Sequence, residues 1–309
     1  MKLCIRLAVM AAVLVICIFS PLFSMRSGAF AYVNPPEDDY LYSLLAPAEQ
    51  RFYLMMYDSC TAYMNSTTPD RGNFRIEVSD DIYNSPNLHY IEEMFYFSHP
   101  EFYFLNNKFG RVRPRSGGQY RVMYTFREFD TPAERQKFNS KLEKETAKIM
   151  KEINRYKTDI EKETAIYGYI MAHAGYPEHI SPDIYHSMAG FFERGKIVCE
   201  GYTQVMTYLC SCAGIECFGV TRENVHSWNI VRIGDSWHEI DVANMDAAGK
   251  GWEKWCNKAH STFIENDRNT KMHTYKGFTA AYPMPQTKDL GAPADESRRG
   301  APAGESRSQ

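Results

Sequence analysis

Four short stretches decide the fold: Gly195-Lys-Ile-Val-Cys199-Glu-Gly-Tyr202, then Gly214-Ile-Glu-Cys217, then His226-Ser-Trp-Asn229, then Trp237-His-Glu-Ile-Asp241. Gly195 to Gly214 predicts a turn followed by a buried helix, with Cys199 at its start. Ile215 to Thr221, Ser227 to Ile233 and Trp237 to Val242 predict strands. Gly234-Asp235 between the last two is a hairpin turn signal. A helix followed by an antiparallel meander gives an α+β fold.

The same stretches place chemistry. A helix N-terminus favours negative charge, and a thiolate is the nucleophile that acyl transfer needs. Cys199 is the cysteine with that placement. Cys210, Cys212 and Cys217 lie at the far end of the helix and on the next strand, where they read as small apolar side chains. A thiol nucleophile needs an imidazole, and the imidazole needs a group to orient it. With Gly234-Asp235 as a two-residue turn, Ile233 faces Ser236, Trp228 faces Asp241 and His226 faces Ala243. His226 and Asp241 then become diagonal neighbours on one sheet face, within side-chain reach. A one-residue slip in register breaks that arrangement. His238 alternates to the opposite face and reads as structural or solvent-facing. Glu239 shares the Asp241 face and is positioned to tune the site. Trp228 and Trp237 read as core and cleft walls. The Cys210, Cys212 and Cys217 spacing fits no standard zinc pattern, so no metal is expected.

These four motifs, in this order and with short gaps, resemble the transglutaminase-like superfamily, and within it the exported bacterial branch. The resemblance runs from Thr158 to Asp246. It implies a papain-like core, with the nucleophile on a helix N-terminus packed on an antiparallel sheet. It also implies a catalytic set of Cys199 as nucleophile, His226 as base and acid, and Asp241 as orienting carboxylate, acting on a protein or peptide substrate without a cofactor. Hydrolysis and amine transfer share the first half-reaction, and both remain open. So does a catalytically silent binding module that keeps the fold. Relatives often continue DvTwdD where this chain has Asp241-Val-Ala243-Asn244-Met245-Asp246, a change in the expected cleft wall. No calcium-loop pattern is present. A papain-type peptidase is disfavoured by the short gap from Cys199 to His226 and by the absence of C-G-S-C-W.

Upstream, Thr131-Pro132-Ala133-Glu134 is a helix start with a capping box, and Thr158-Asp159-Ile160-Glu161 repeats the signature. Residues 131–282 are expected to form the catalytic domain. Residues 32–130, rich in Tyr and Phe, are expected to be a mainly helical N-terminal region. Lys2, Arg6, the apolar run Leu7 to Phe19 and Ala29-Phe30-Ala31 describe a secretory signal peptide over residues 1–31. The run is shorter than the ~20 residues of a membrane span, so a membrane partner is expected only if the segment stays uncleaved as an anchor. Export to the cell surface or medium follows. From Pro283 to the end the chain is Pro, Ala, Gly, Ser and charge, and a flexible tail is expected there.

Composition narrows the remaining classes. The net charge is -3 over 309 residues, with no Lys/Arg run, which argues against nucleic-acid binding by phosphate neutralisation. An aromatic content of 14% argues against a mostly disordered chain. Eight cysteines over this length are too few for a disulfide scaffold.

Overall fold

The computed structural model describes residues 39–68, 73–114 and 117–291. The expected signal segment 1–31, with Cys4 and Cys17, lies outside the described residues, as does the tail beyond residue 291. Among the described residues no helix is long and apolar enough to cross a membrane.

The N-terminal half runs α1 (Tyr40–Ser43), α2 (Pro47–Asn65), β1 (Asn73–Glu77), α3 (Asp80–Tyr83), α4 (Leu88–Ser98), β2 (Leu105–Val112) and β3 (Tyr120–Thr125). Its strands form an antiparallel sheet in the order β1-β3-β2. The region expected to be mainly helical therefore also supplies a sheet. β3, rich in Tyr, Val and Met, is its central member, and the mixed polar composition of Leu105–Val112 gives its partner β2 no clear strand signal. Arg121 on β3 reaches the buried Glu92 of α4 through Nε and Nη2, both at 2.6 Å, and joins this sheet to the helix behind it.

The second half runs α5 (Pro132–Ile153), α6 (Asp159–His173), α7 (Met188–Arg194), α8 (Cys199–Ala213), β4 (Cys217–Arg222), β5 (His226–Ile233), β6 (Ser236–Ile240), α9 (Val242–Ala248), α10 (His260–Asn266) and α11 (Phe278–Ala281). Both capping boxes form as read: Thr131 caps α5 and Thr158 caps α6, with Glu134 and Glu161 reaching back to the cap N–H groups. The second sheet is antiparallel in the order β4-β5-β6, with α8 packed on β4 and β5. The fold is α+β. The hairpin register is Ile233 opposite Ser236, and Gly234 supplies the positive φ (58°) at the first central position of the turn. The third strand stops at Ile240 rather than Val242, because Asp241 caps the helix that follows.

The two halves share one apolar core. Tyr96 Oη of α4 donates to the His186 carbonyl at 2.7 Å, and Gln204 Nε2 of α8 donates to the Tyr96 carbonyl at 3.0 Å. Phe97 of α4 lies against Gly219 of β4. The expected tail begins later than Pro283. Thr287 bridges to Trp237, the Lys288 N–H donates to the Trp237 carbonyl at 2.9 Å, and Leu290 N–H donates to the Asn257 carbonyl at 2.9 Å. Composition alone missed this because backbone groups, not apolar side chains, dock the segment on the open edge of β6.

Gly219 is where α4, β4 and α8 meet. A Cβ there would stand 2.6 Å from Thr203 Cγ2 and 2.9 Å from Phe97 Cβ. Gly219→Ala is expected to lower the unfolding free energy by about 1–3 kcal/mol through overpacking, read as a lower denaturant midpoint at unchanged m-value. An unchanged midpoint would show that the α4–β4–α8 junction yields freely.

Candidate active site

The junction before α8 is built by backbone constraints. Gly195 ends α7 in the left-handed region (φ 62°), which a residue with a side chain adopts reluctantly. The chain then runs extended, with Ile197 N–H donating to the Gly175 carbonyl and Val198 N–H to the Tyr185 carbonyl. Val198 caps α8, and Cys199 is its first residue. Gly201 follows because a Cβ there would stand 2.8 Å from the Tyr185 carbonyl oxygen and 2.6 Å from Ile197 Cβ. Cys199 is partly accessible, whereas Cys60, Cys210, Cys212 and Cys256 are buried. The first-turn N–H groups of α8 lack intrahelical acceptors and point toward the Cys199 end.

Asn229 on β5 fastens the sheet to α8: its Nδ2 donates to the Thr203 carbonyl (3.1 Å) and to Thr207 Oγ1 (3.0 Å). That tie sets His226, at the start of β5, opposite Cys199. His226 Nε2 is 2.6 Å from Asp241 Oδ2, and both side chains are buried. The diagonal placement expected from the hairpin is therefore present. Cys199 also hydrogen-bonds the His226 ring. Burial works against the imidazolium, but the charge and hydrogen bond of Asp241, together with Cys199, outweigh it and hold the His226 pKa at about 10. Burial likewise opposes the Asp241 charge. The facing His226 and His273 nevertheless hold its carboxyl well below the usual carboxylate range.

Asp241 has further partners that the sequence reading did not identify. Oδ1 accepts the Asn244 N–H at 2.9 Å, and Oδ2 accepts Asn244 Nδ2 at 2.7 Å. The Asp-x-x-Asn spacing is a helix-cap signal at the end of a stretch whose pattern predicts strand. Oδ2 also accepts His273 Nε2 at 2.8 Å, and the other ring nitrogen of His273, Nδ1, lies 3.1 Å from Asp267 Oδ2. His273 sits in the loop between α10 and α11, where no periodicity could predict its position.

The remaining expectations resolve around this set. Trp228 is buried core, stacked on His226 with centroids 6.0 Å apart. Glu239 is fully buried and reaches the site indirectly: it accepts Trp228 Nε1 at 2.7 Å and Tyr275 Oη at 2.6 Å. Trp237 packs on Phe218 and Tyr40. His238 is structural, with Nδ1 donating to the Lys288 carbonyl at 2.6 Å. A cavity of about 340 Å³ opens beside the start of α8, between Tyr176, Tyr202, Ala243 and Asp246. Ala243 thus lines the cleft as expected, while Asn244 turns instead to Asp241. The Cys199 backbone hydrogen-bonds the exposed Tyr176, and Tyr202 Oη donates to Asp246 Oδ2.

Residues 147–242 match the family model of the transglutaminase-like superfamily, a span that includes Cys199, His226 and Asp241. This stretch is a transglutaminase-like domain. Among solved structures, the crystal structure of a TGase is similar over 58% of this chain and 52% of that one, at 14% identity and a TM-score of 0.29. The present chain spans about half the length of that TGase. No curated protein matches the chain.

Within the transglutaminase-like domain and its C-terminal loop, His226, Asp241 and His273 bring three potential ligand atoms within 4.8 Å of one another. A cation there requires both imidazoles to aim lone pairs at it. Nε2 of each ring stands within hydrogen-bond distance of Asp241 Oδ2, at 2.6 and 2.8 Å.

The buried His226–Asp241 pair links stability to pH. Asp241 has a lowered pKa, so its contribution is full above the ordinary Asp value and is lost as pH falls. His226 has a raised pKa, so its contribution is full below the ordinary His value and is lost as pH rises through about 10. Asp241→Asn is therefore expected to destabilise the protein most between about pH 4 and 6.5, by roughly 3–5 kcal/mol. Denaturant titrations of both proteins from pH 3 to 10 measure this, and a pH-independent difference would rule out the charge pair.

Proposed function

We propose that this protein is an exported thiol enzyme that opens a carboxamide or peptide bond of a protein or peptide substrate through a thioester on Cys199. One observation carries the reading: the His226 ring interacts both with Cys199, at the first position of α8, and with the buried Asp241, whose Oδ2 is 2.6 Å from Nε2. Because Nε2 faces Asp241, Nδ1 is the nitrogen left to exchange a proton with the thiol and the leaving group.

In the proposed reaction the thiolate attacks the carbonyl carbon and forms a C–S bond. The carbonyl electron pair moves to oxygen, where the Cys199 N–H at the helix start stabilises the oxyanion. This requires the Tyr176 hydroxyl to yield that N–H to substrate. His226 Nδ1 protonates the leaving nitrogen, the C–N bond breaks, and an amine departs. Water or a second amine then attacks the thioester, His226 takes up its proton, and the thiolate leaves. Water yields an acid, and an amine yields a new amide. Asp241 stays ionised and fixes the ring. The cavity between Tyr176 and Asp246 is the proposed acyl or amine subsite. Export rests on the character of residues 1–31.

Alkylation by iodoacetamide across pH 5–9, with Cys199→Ser as control, tests the thiol. Cys199 is expected to react at least tenfold faster at pH 6 than an ordinary thiol of pKa ≈ 8.5, and His226→Ala is expected to abolish the excess. Ordinary reactivity at every pH overturns the proposal. A glutamine-containing peptide with a labelled amine separates the two outcomes: label incorporation marks transfer, and free acid alone marks hydrolysis.

A further inference from the structure

His273 is fully buried and lies beyond residues 147–242, yet it touches the centre of the site. Each of its ring nitrogens faces a carboxylate oxygen: Nε2 stands 2.8 Å from Asp241 Oδ2, and Nδ1 stands 3.1 Å from Asp267 Oδ2. A neutral imidazole has one donor and one acceptor nitrogen, so either tautomer sets a lone pair against a carboxylate. An imidazolium donates on both sides. Both Asp267 oxygens already accept from other donors: Oδ2 takes the His273 backbone N–H at 2.8 Å, and Oδ1 takes the Thr270 hydroxyl. The walls suit a cation as well. Trp255 stacks on the ring with centroids 4.8 Å apart, and Trp228 and Phe263 meet it edge-on at 5.0 and 4.7 Å. An indole face attracts positive charge.

We propose that His273 is a positioning residue: an imidazolium clamped between Asp241 and Asp267 that fixes the Asp241 carboxylate and weakens its hold on the His226 proton. The reading rests on the roles proposed above for His226 and Asp241. In this reading the carboxylates and imidazoles alternate in sign along His226, Asp241, His273 and Asp267. His273 shares Asp241 Oδ2 with His226, and the two rings lie 5.3 Å apart. Its charge therefore acts on His226 twice, by drawing on the shared carboxylate and by direct repulsion. Both effects make His226 a readier proton donor to the leaving amine. The charged groups around His273 include Asp241 at the start of α9, Asp267 after α10, His226 on β5, Lys254 above the Trp255 ring, Glu239 behind Trp228 with His260 beside it, and Lys271 in its own loop, whose carbonyl accepts from the Arg222 guanidinium.

Imidazole nitrogen NMR on Cys199→Ala protein tests this without depending on turnover. Both His273 nitrogens are expected to show the protonated signature at pH 7. His273→Gln keeps a neutral donor to Asp241 but removes the charge. It is expected to raise the His226 titration midpoint by about one pH unit. Asp267→Asn, which leaves Asp241 untouched, is expected to neutralise His273 and raise the His226 midpoint in the same direction. A neutral His273 tautomer at pH 7 overturns the proposal. So does a folded His273→Gln protein whose His226 titration is unmoved, the result expected of a merely structural histidine. Stoichiometric zinc binding lost in His273→Gln also overturns it, because a metal needs both rings neutral. Ordinary Cys199 alkylation in the unsubstituted protein overturns the thiol-enzyme reading alone, since the NMR readouts stand apart from it.

Discussion

The Asp241 carboxylate is buried, and a buried charge is tolerated only when its partners replace the water it has lost. Four contacts do so here: two from Asn244 and one each from His226 and His273. They come from a strand, a helix start and a loop, so the carboxylate can be ionised only when three separate pieces of chain are in place. This one requirement ties β5, the turn into α9 and the loop after α10 into a single unit. It also explains why β6 must end at Ile240. Continuing the strand would remove the N-terminal N–H groups of α9 that Asp241 caps.

What could be read in advance follows from which interactions are local. The start of α8, the hairpin register and the capping boxes at Thr131 and Thr158 depend on residues within a few positions of each other, and each formed where the pattern placed it. The His226–Asp241 approach also derives from short-range rules, namely a two-residue turn and a period of two. His273 and Asp267 have no such rule. They reach the site by a loop whose path is set by packing against Trp228, Trp255 and Phe263. The docking of residues 287–290 was invisible for a different reason. The contacts are made by backbone groups, which every sequence carries, and by the polar side chains of Thr287 and Asp289, whose partners lie far away in sequence.

Trp228 shows how one motif position serves several ends. Its ring stacks on His226 and meets His273 edge-on, and its Nε1–H satisfies the buried Glu239. Glu239 in turn holds Tyr275, two residues beyond His273. The indole is thus an apolar wall that also anchors a carboxylate, which in turn anchors the loop bearing the second histidine. An aromatic with no polar edge would fill the space and leave Glu239 with an unmet acceptor.

The span recognisable as transglutaminase-like ends at residue 242, but the physical unit does not. Asp289 accepts the Ala259 N–H at 2.7 Å and the Thr262 hydroxyl at 3.1 Å, fixing the start of α10. Thr287 Oγ1 accepts the His260 N–H at 2.7 Å in the same turn. The helix then delivers Asp267, and Asp267 holds His273 against Asp241. The chain that covers the open edge of β6 therefore also sets the far side of the site. A fragment cut at residue 242 would keep Cys199, His226 and Asp241 but lose the Asn244 and His273 donors. The carboxylate would then be left to His226 alone. Compensation of that charge is complete only with the chain that runs on to about residue 290.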